Sequence, residues 1–132
     1  MSTEQNKRIA LGLLEDLSNA EYDKVLSWLG EDATWWGASD TPPFTGTKTK
    51  QQLLERFDST LRLLFPNGHK ITVDHAIAEG DYVAVEGHSY AELAKGKIYE
   101  NKYHWKLEIR DGKIQAIREY MDSLYAKGML FG

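Results

Sequence analysis

The sequence predicts an α+β domain in which three N-terminal helices pack on a curved, mostly antiparallel sheet and leave a central pocket between the two layers. Two observations support this fold class. Apolar residues recur three or four positions apart up to Leu64, which is helical spacing, with one short aromatic segment between the helices. After Gly68 they recur at every second position, which is the spacing of strands with one buried face.

The first helix begins at a capping box. Ser2 and Gln5 have the types and spacing that satisfy free backbone N–H groups at a helix start, and an apolar stripe continues from there to Asn19. A short second helix follows, and Gly30 is a typical residue to end it. The apolar stripes of these two helices consist of Ile9, Leu13, Leu14, Leu17, Tyr22, Val25, Leu26 and Leu29.

A strand, a loop and a third helix come next. The segment DATWWG (residues 32–37) is short and aromatic, so we expect a strand. The segment ASDTPPFTG (residues 38–46) is rich in Pro and Gly, which predicts a loop. Thr49 and Gln52 form a second capping box, and Pro66 ends the helix that this box begins.

Four strands are predicted in the remainder of the chain. Gly-containing turns separate them, which is typical of consecutive antiparallel strands. The predicted strands are KITVDHAIAE (70–79), DYVAVEGHSYAELA (81–94), KIYENKYHWKLEIR (97–110) and KIQAIREYMDSL (113–124).

Length and composition limit the classes of function. The 132 residues suit one domain, 1–132, with its own hydrophobic core. The chain has no cysteine, which excludes a disulfide framework, a thiol nucleophile and a thiolate metal site. Its 16 basic residues are scattered among 20 acidic ones, so we expect no nucleic-acid partner. The polar start MSTEQNKR and the absence of a long apolar run predict no membrane partner and a cytoplasmic location.

Three segments carry a resemblance to a known family. EDATWWGASDTPPFTG (31–46), AEGDYVAVEG (78–87) and LEIRDGKIQAIREYMD (107–122) resemble the nuclear transport factor 2-like superfamily. The resemblance is to its SnoaL-like polyketide cyclase branch, with ketosteroid isomerases and limonene epoxide hydrolases as relatives, and it extends from about Asn6 to Leu124. It implies a cone-shaped barrel with a pocket in the cone, and a homodimer formed through the outer face of the sheet.

The resemblance does not select one reaction, because this fold carries many activities and also binding proteins without any. At the position of the isomerases' oxyanion-hole tyrosine this chain has Leu14, and at the position of their general base it has Gly37. The Arg-x-Asp pair of the epoxide hydrolases corresponds to Gly87 and Ser89. One acid is retained, since Glu119 matches the acid/base aspartate of the SnoaL cyclases and the acid of the hydrolases.

The face on which Glu119 lies depends on the turn at residues 110–112. If Asp111-Gly112 is a two-residue loop, Glu119 points away from the face of Tyr103 and Trp105. If all three residues form the loop, with Gly112 in a bulge, Glu119 shares that face and lies opposite Tyr103. The apolar pattern alone favours the first register, whereas the resemblance favours the second, which we adopt.

In the adopted register the concave face is aromatic and apolar, which suits a flat hydrophobic molecule of one to three rings. We expect Glu119 to be catalytic, because surrounding rings would raise the pKa of its carboxyl group towards neutrality. The expected ligand-binding residues on the strands are Tyr103, Asn101, Trp105, Tyr99, Ser89, Ile117 and Met121. Near the mouth of the pocket we expect Trp28, Phe44 and either Trp35 or Trp36, of which we choose Trp36.

Three hypotheses of function follow. The first is a cofactor-independent acid/base enzyme of the cyclase, isomerase or hydrolase type that acts on a small hydrophobic cyclic substrate. The second is a non-catalytic protein that binds a hydrophobic ligand or serves as a dimeric accessory protein. The third is a dehydratase that uses His88 and His104, although both point outward in the adopted register. We expect no metal site, because the four histidines lack the short ligand spacings of zinc sites.

Overall fold

The structure is a computed structural model that describes residues 2–132, and it confirms the α+β class. A curved six-stranded sheet has the strand order β2-β1-β6-β5-β4-β3, and helices pack on its concave face. The strands are β1 (Leu29–Ala38), β2 (Thr45–Thr49), β3 (Lys70–Glu79), β4 (Tyr82–Glu92), β5 (Ile98–Arg110) and β6 (Lys113–Met121). The sheet is antiparallel except for the pairing of β1 with β6.

The helices begin where the capping residues predict. In both capping boxes the side chain of the first residue accepts from the third helical N–H, and the Gln side chain accepts from the backbone of the cap. The helices are α1 (Thr3–Ser18), α2 (Tyr22–Ser27), α3 (Lys50–Arg56), α4 (Arg62–Leu64) and α5 (Ser123–Phe131), and a π-helical turn (Phe57–Leu61) joins α3 to α4 without a break. Within residues 2–132, no helix is long and apolar enough to cross a membrane.

The main core lies between α1 and the concave face of the sheet. Its stripe residues Leu13 and Leu14 are at most 1% exposed, as are Leu107 and Ile109 on the facing strand β5. A second cluster fills the space under α5 and includes Phe65 and Tyr99. The unfilled space between these two clusters is where a ligand can enter.

The β5–β6 hairpin combines features of both predicted registers. Arg110 pairs with Lys113, so the turn has two residues and the prediction of a three-residue loop was wrong. Asp111 and Gly112 have φ of 52° and 77°, as the favoured two-residue hairpin turns require. A bulge follows at Gln115, because Ile109 pairs with Ile114 and Glu108 already pairs with Ala116. Because of this extra residue, the side chains of β6 beyond the bulge point to the opposite face from the one that the two-residue turn alone would give. Glu119 therefore shares the concave face with Trp105, its pairing partner.

Two elements were not predicted. β2 lies partly in the predicted loop, because its sequence TGTKT has no apolar alternation and pairs only at the edge of the sheet. The last strand ends at Met121 and not at residue 124, because the Asp122 side chain accepts a hydrogen bond from the Tyr125 N–H and caps α5. An acid before a helical turn was the signal for this boundary, and the apolar alternation of the strand obscured it.

Candidate active site

A cavity of about 120 Å³ lies between the concave face and the helical layer. Helix α5 closes one side, and the Phe131 ring lies 5.9 Å from that of Phe44 on the loop before β2. Most of the wall is apolar. Its aromatic residues are Trp35, Phe44, Phe57, Phe65, Tyr103, Trp105 and Phe131, and its polar ones are Lys48, Arg56, Thr60, His69 and Glu119.

Glu119 is the acidic residue of this wall. Strand β6 places it beside Trp105, whose Nε1–H donates a hydrogen bond of 2.8 Å to Glu119 Oε1. Burial raises the pKa of Glu119 above its ordinary value of 4.5, because the charged form loses contact with water. The indoles of Trp105 and Trp35 and the charges of Arg56 and Lys48 oppose this rise without cancelling it. The carboxyl group is therefore suited to exchanging protons nearer neutrality than a solvated glutamate.

Tyr103 supplies a hydroxyl group to the same cavity. Its ring stacks on Trp105 with centroids 5.0 Å apart and planes 5° from parallel, and its hydroxyl lies 3.0 Å from that of Tyr99. Asn101 Nδ2 donates to Tyr99 Oη at 2.8 Å, and Asn101 Oδ1 accepts from the backbone N–H of Lys102. Burial raises the pKa of Tyr103 well above its ordinary value of 10.0, so this phenol stays neutral.

Four polar residues of the wall were not predicted from the sequence, namely Thr60 in the π-helical turn and three residues with titratable groups. Lys48 is on β2, Arg56 is the last residue of α3, and His69 precedes β3. His69 is 7% exposed, stacks on Phe65 at 4.7 Å and has no hydrogen-bond partner for its Nδ1 among the described residues. Burial lowers the pKa of His69 to about 4, so this imidazole is neutral at physiological pH. None of the three belongs to a motif, and only the fold brings them together.

Apart from Trp28 and Trp36, the predicted site residues separate into two groups. Glu119, Tyr103, Trp105, Phe44 and Met121 line the cavity. The others with the expected face lie behind the wall, where they are 4% exposed or less; these are Ser89, Tyr99, Asn101 and Ile117. Because a curved sheet is covered by helices along part of its length, a side chain on the concave face can fill the core without reaching the cavity.

Two tryptophans were wrongly placed in the pocket. Trp36 lies on the outer face of the sheet, where the Arg118 guanidinium is 3.7 Å from its ring centroid and the Tyr120 ring is 5.6 Å away. Strand alternation places its neighbour Trp35 in the cavity wall. Trp28 is turned towards α1, where its Nε1–H donates to Asp16 at 2.7 Å.

The histidines of the dehydratase hypothesis lie outside the cavity. His88 is on the outer face with Nδ1 at 2.9 Å from Asp74, and His104 is exposed on the neighbouring strand. A reaction that uses these two residues in the cone has no geometric basis. Across residues 2–132, no three histidine or acidic side chains come close enough together to hold a metal ion.

Backbone atoms leave no room for a side chain at Gly37 and Gly87, the two glycines that the resemblance aligned with catalytic residues of isomerases and epoxide hydrolases. A Cβ at Gly37 would lie 2.1 Å from the carbonyl oxygen of Phe44. A Cβ at Gly87 would lie 2.7 Å from the carbonyl oxygen of Thr72. An aspartate at the first position or an arginine at the second would therefore require movement of the neighbouring strand or loop. This backbone arrangement thus requires glycine at both positions.

Comparison with known proteins identifies the family and the fold. The sequence description of the SnoaL-like domain matches residues 11–117. An NTF2-like protein from Anabaena variabilis is 26% identical, with 92% of this chain and 93% of that chain covered and a TM-score of 0.76. An NTF2-like protein of unknown function from Burkholderia pseudomallei is 17% identical, with both chains fully covered (100% and 100%) and a TM-score of 0.83. PrhC from Penicillium brasilianum is 17% identical, with coverage of 96% and 86% and a TM-score of 0.84. No curated protein sequence matches this chain.

Proposed function

The chain belongs to the SnoaL-like domain family, and we propose that it is an acid/base enzyme of the cyclase, isomerase or hydrolase type that acts on a small hydrophobic cyclic molecule without a cofactor. One observation carries this proposal. The carboxyl group of Glu119 is in the wall of a mostly apolar cavity, and burial raises its pKa. A carboxyl group in such a position is better suited than a solvated one to both take and return a proton.

In the proposed reaction Glu119 is the proton carrier. Its carboxylate takes a proton from a carbon next to a carbonyl group. The electron pair of the C–H bond forms a C=C bond, and the π pair of the C=O bond moves to the oxygen. The protonated Glu119 then returns this proton to a different atom of the same molecule. The hydrogen bond from the Trp105 N–H to Oε1 holds the carboxyl group in place for this transfer.

Tyr103 is the proposed hydrogen-bond donor to the developing oxyanion. The orientation of Asn101 is fixed by its bond to the Lys102 N–H, so its Nδ2 donates to Tyr99 Oη. If Tyr99 in turn donates to Tyr103, the Tyr103 hydroxyl hydrogen is free for the ligand. With the hydrogen bonds in this direction, the neutral Tyr103 hydroxyl is a donor in an apolar wall. Such a donor stabilises negative charge that forms in a transition state.

The cavity limits the size of the proposed substrate. Its volume of about 120 Å³ is close to the roughly 150 Å³ that accommodates benzene in an engineered protein cavity. The closed part therefore suits one six-membered ring with short substituents, and a second ring would extend towards the mouth.

The test measures proton transfer on a panel of cyclic ketones, epoxides and phenols. Incorporation of solvent deuterium next to a ketone carbonyl, followed by NMR, reports the first step even when no net product forms. We expect Glu119→Gln to lower the rate by about 100-fold or more, because general acid–base groups typically contribute that much. Gln keeps an oxygen that can accept from Trp105, and Glu86→Gln on the exposed side of β4 is the matched control.

Closure of the Gly37 and Gly87 positions supports a second candidate, a non-catalytic protein that binds a hydrophobic ligand. The same panel separates the two. If a ligand binds to the wild type and to Glu119→Gln with equal affinity and neither accelerates deuterium incorporation, the enzyme proposal is wrong and the binding protein is supported.

A further inference from the structure

Two cations face the cavity without an acidic partner in contact. Lys48 and Arg56 both line it on the side of β2 and α3. Every carboxylate within 4 Å of a basic side chain in residues 2–132 belongs to another pair; these are Glu4–Lys7, Asp58–Arg62, Asp74–His88 and Glu108–Arg110. The cavity thus contains more positive than negative groups.

The hydrogen bonds of these cations are also incomplete. Lys48 Nζ donates two long bonds, each of 3.4 Å, to the carbonyl oxygens of Pro43 and Thr45. Among the described residues, the Arg56 guanidinium, which is only half-buried, makes no side-chain hydrogen bond. The N–H groups of its planar fork therefore have no partner among the described residues, and those that face the cavity can donate to a ligand.

Glu119 offsets only part of this positive charge, because Arg56 and Lys48 lower its pKa without cancelling the rise that burial causes. It makes no contact within 4 Å with either cation, and it is itself pushed towards its neutral form by burial. The two cations give the wall a charge of about +2 when Glu119 is protonated and about +1 when it is ionised. In both states an anion that enters the cavity reduces the unfavourable burial of like charges, whereas a neutral molecule of the same shape does not.

We propose that the molecule bound in this cavity is a cyclic carboxylic acid whose carboxylate is held by Arg56, with Lys48 nearby and the ring against Trp35, Trp105 and Tyr103. A carboxylate matches the planar guanidinium fork through two parallel hydrogen bonds. This inference deepens the proposed function, because it assigns a chemical class to the substrate that Glu119 would act on.

The helical segment that follows Arg56 also has an irregularity that supports a functional role for this wall. Directly after Arg56 the chain forms the π-helical turn Phe57–Leu61, in which the Arg62 N–H donates to the Phe57 carbonyl oxygen. Such turns are rare and frequently occur at functional sites. Three residues of this turn, Phe57, Thr60 and Leu61, line the cavity.

The experiment compares benzoate with benzamide, two probes of equal shape that fit one ring into the cavity and differ in charge. Binding is followed by the indole N–H signals of the four tryptophans in NMR titrations. Trp35 and Trp105 line the cavity and report entry, while Trp28 and Trp36 lie outside it and serve as internal controls. We expect benzoate to shift the first two signals and to bind at least about tenfold more tightly than benzamide, a difference of about 1.4 kcal/mol.

Substitutions then identify the cation responsible. Arg56→Gln should weaken benzoate binding about tenfold and leave benzamide binding unchanged, and Arg56→Lys should restore part of the loss. Lys48→Gln, expected to have a smaller effect of the same sign, provides a second route if Arg56→Gln does not fold. Arg62→Gln is the control on the same helical segment, because Arg62 is exposed and pairs with Asp58.

Three results would overturn the inference: equal affinity for benzoate and benzamide, an unchanged benzoate affinity in folded Arg56→Gln, or no shift of Trp35 and Trp105 at the solubility limit of benzoate. The inference and the enzyme proposal fail separately. If benzoate and benzamide bind equally, the rate test on Glu119 still stands. If Glu119→Gln is as fast as the wild type but benzoate is still preferred, the protein binds anions without acting as the proposed enzyme.

Discussion

Trp35 and Trp36 are neighbours in β1, yet they belong to different environments. Trp35 is 9% exposed and lines the cavity beside Glu119, whereas Trp36 covers the outer face under the Arg118 guanidinium. The same contrast holds on β6, where Glu119 faces inward and Arg118 outward. The two faces of one sheet therefore use the same residue types for different purposes. Residue type alone therefore does not tell which face of the sheet a side chain occupies, whereas alternation along the strand does.

The largest expected difference between the two faces concerns Trp105. Trp105→Ala should lower the free energy of unfolding by about 3–5 kcal/mol, because Trp105 is 1% exposed and its removal leaves a cavity in the core. Trp36→Ala on the outer face should cost only about 1–2 kcal/mol, since a half-buried ring loses its contacts with Arg118 and Tyr120. Urea unfolding of both variants measures the comparison, and equal losses would contradict it.

The next effect concerns the closed glycine position at the rim of the cavity. Gly37→Ala should destabilise by about 1–3 kcal/mol, because the new Cβ meets the carbonyl oxygen of Phe44. Gly128→Ala in α5 is the matched control, with no atom within 4 Å of the added carbon. The control should be stabilised by about 0.5–1 kcal/mol, because Ala is favoured over Gly within helices. Thermal unfolding measures both variants. If both are less stable, or both more stable, than the wild type, the steric explanation for Gly37 is wrong.

A third prediction uses pH to compare the inner acid with a neutral substitute. The folded-state pKa of Glu119 is raised, so the folded protein holds this proton more tightly than the unfolded chain. Its contribution is fully present below the ordinary value of 4.5 and is lost as pH rises through the folded-state pKa. The stability of the wild type relative to Glu119→Gln should therefore fall as pH rises through this window. Urea unfolding at a series of pH values measures the difference, and a rise would show that the carboxylate is favoured by its neighbours.

The smallest effect is expected on the outer face. Asp74→Asn removes the partner of His88, but both side chains are about half exposed (42% and 50%), so the loss should be at most about 0.5 kcal/mol. The same variant should leave benzoate binding unchanged, because neither residue lines the cavity. A benzoate affinity that drops several-fold in Asp74→Asn would reconnect the outer histidine to the site.

Much of the fold was accessible from the sequence because its signals are local. Capping boxes at Ser2 and Thr49, the change from helical to alternating spacing after Gly68, and glycine turns each depend on a few adjacent residues. The parts that were missed lack such signals. The polar edge strand β2 is held by pairing alone, and α5 follows the last strand with only Asp122 to mark its start.

The position of Glu119 shows which features could be predicted from the sequence and which depend on tertiary structure. An α+β domain with an acid in its last strand could be predicted from the sequence, because apolar spacing and turn residues depend on neighbouring positions. Tertiary structure decided that a two-residue turn and a bulge at Gln115 together bring Glu119 inside. It also decided that Lys48, Arg56 and His69, from three separate segments, meet that acid in one cavity. The physical reason is that a single residue of slip reverses the face of a strand, and charges distant in sequence meet only through packing.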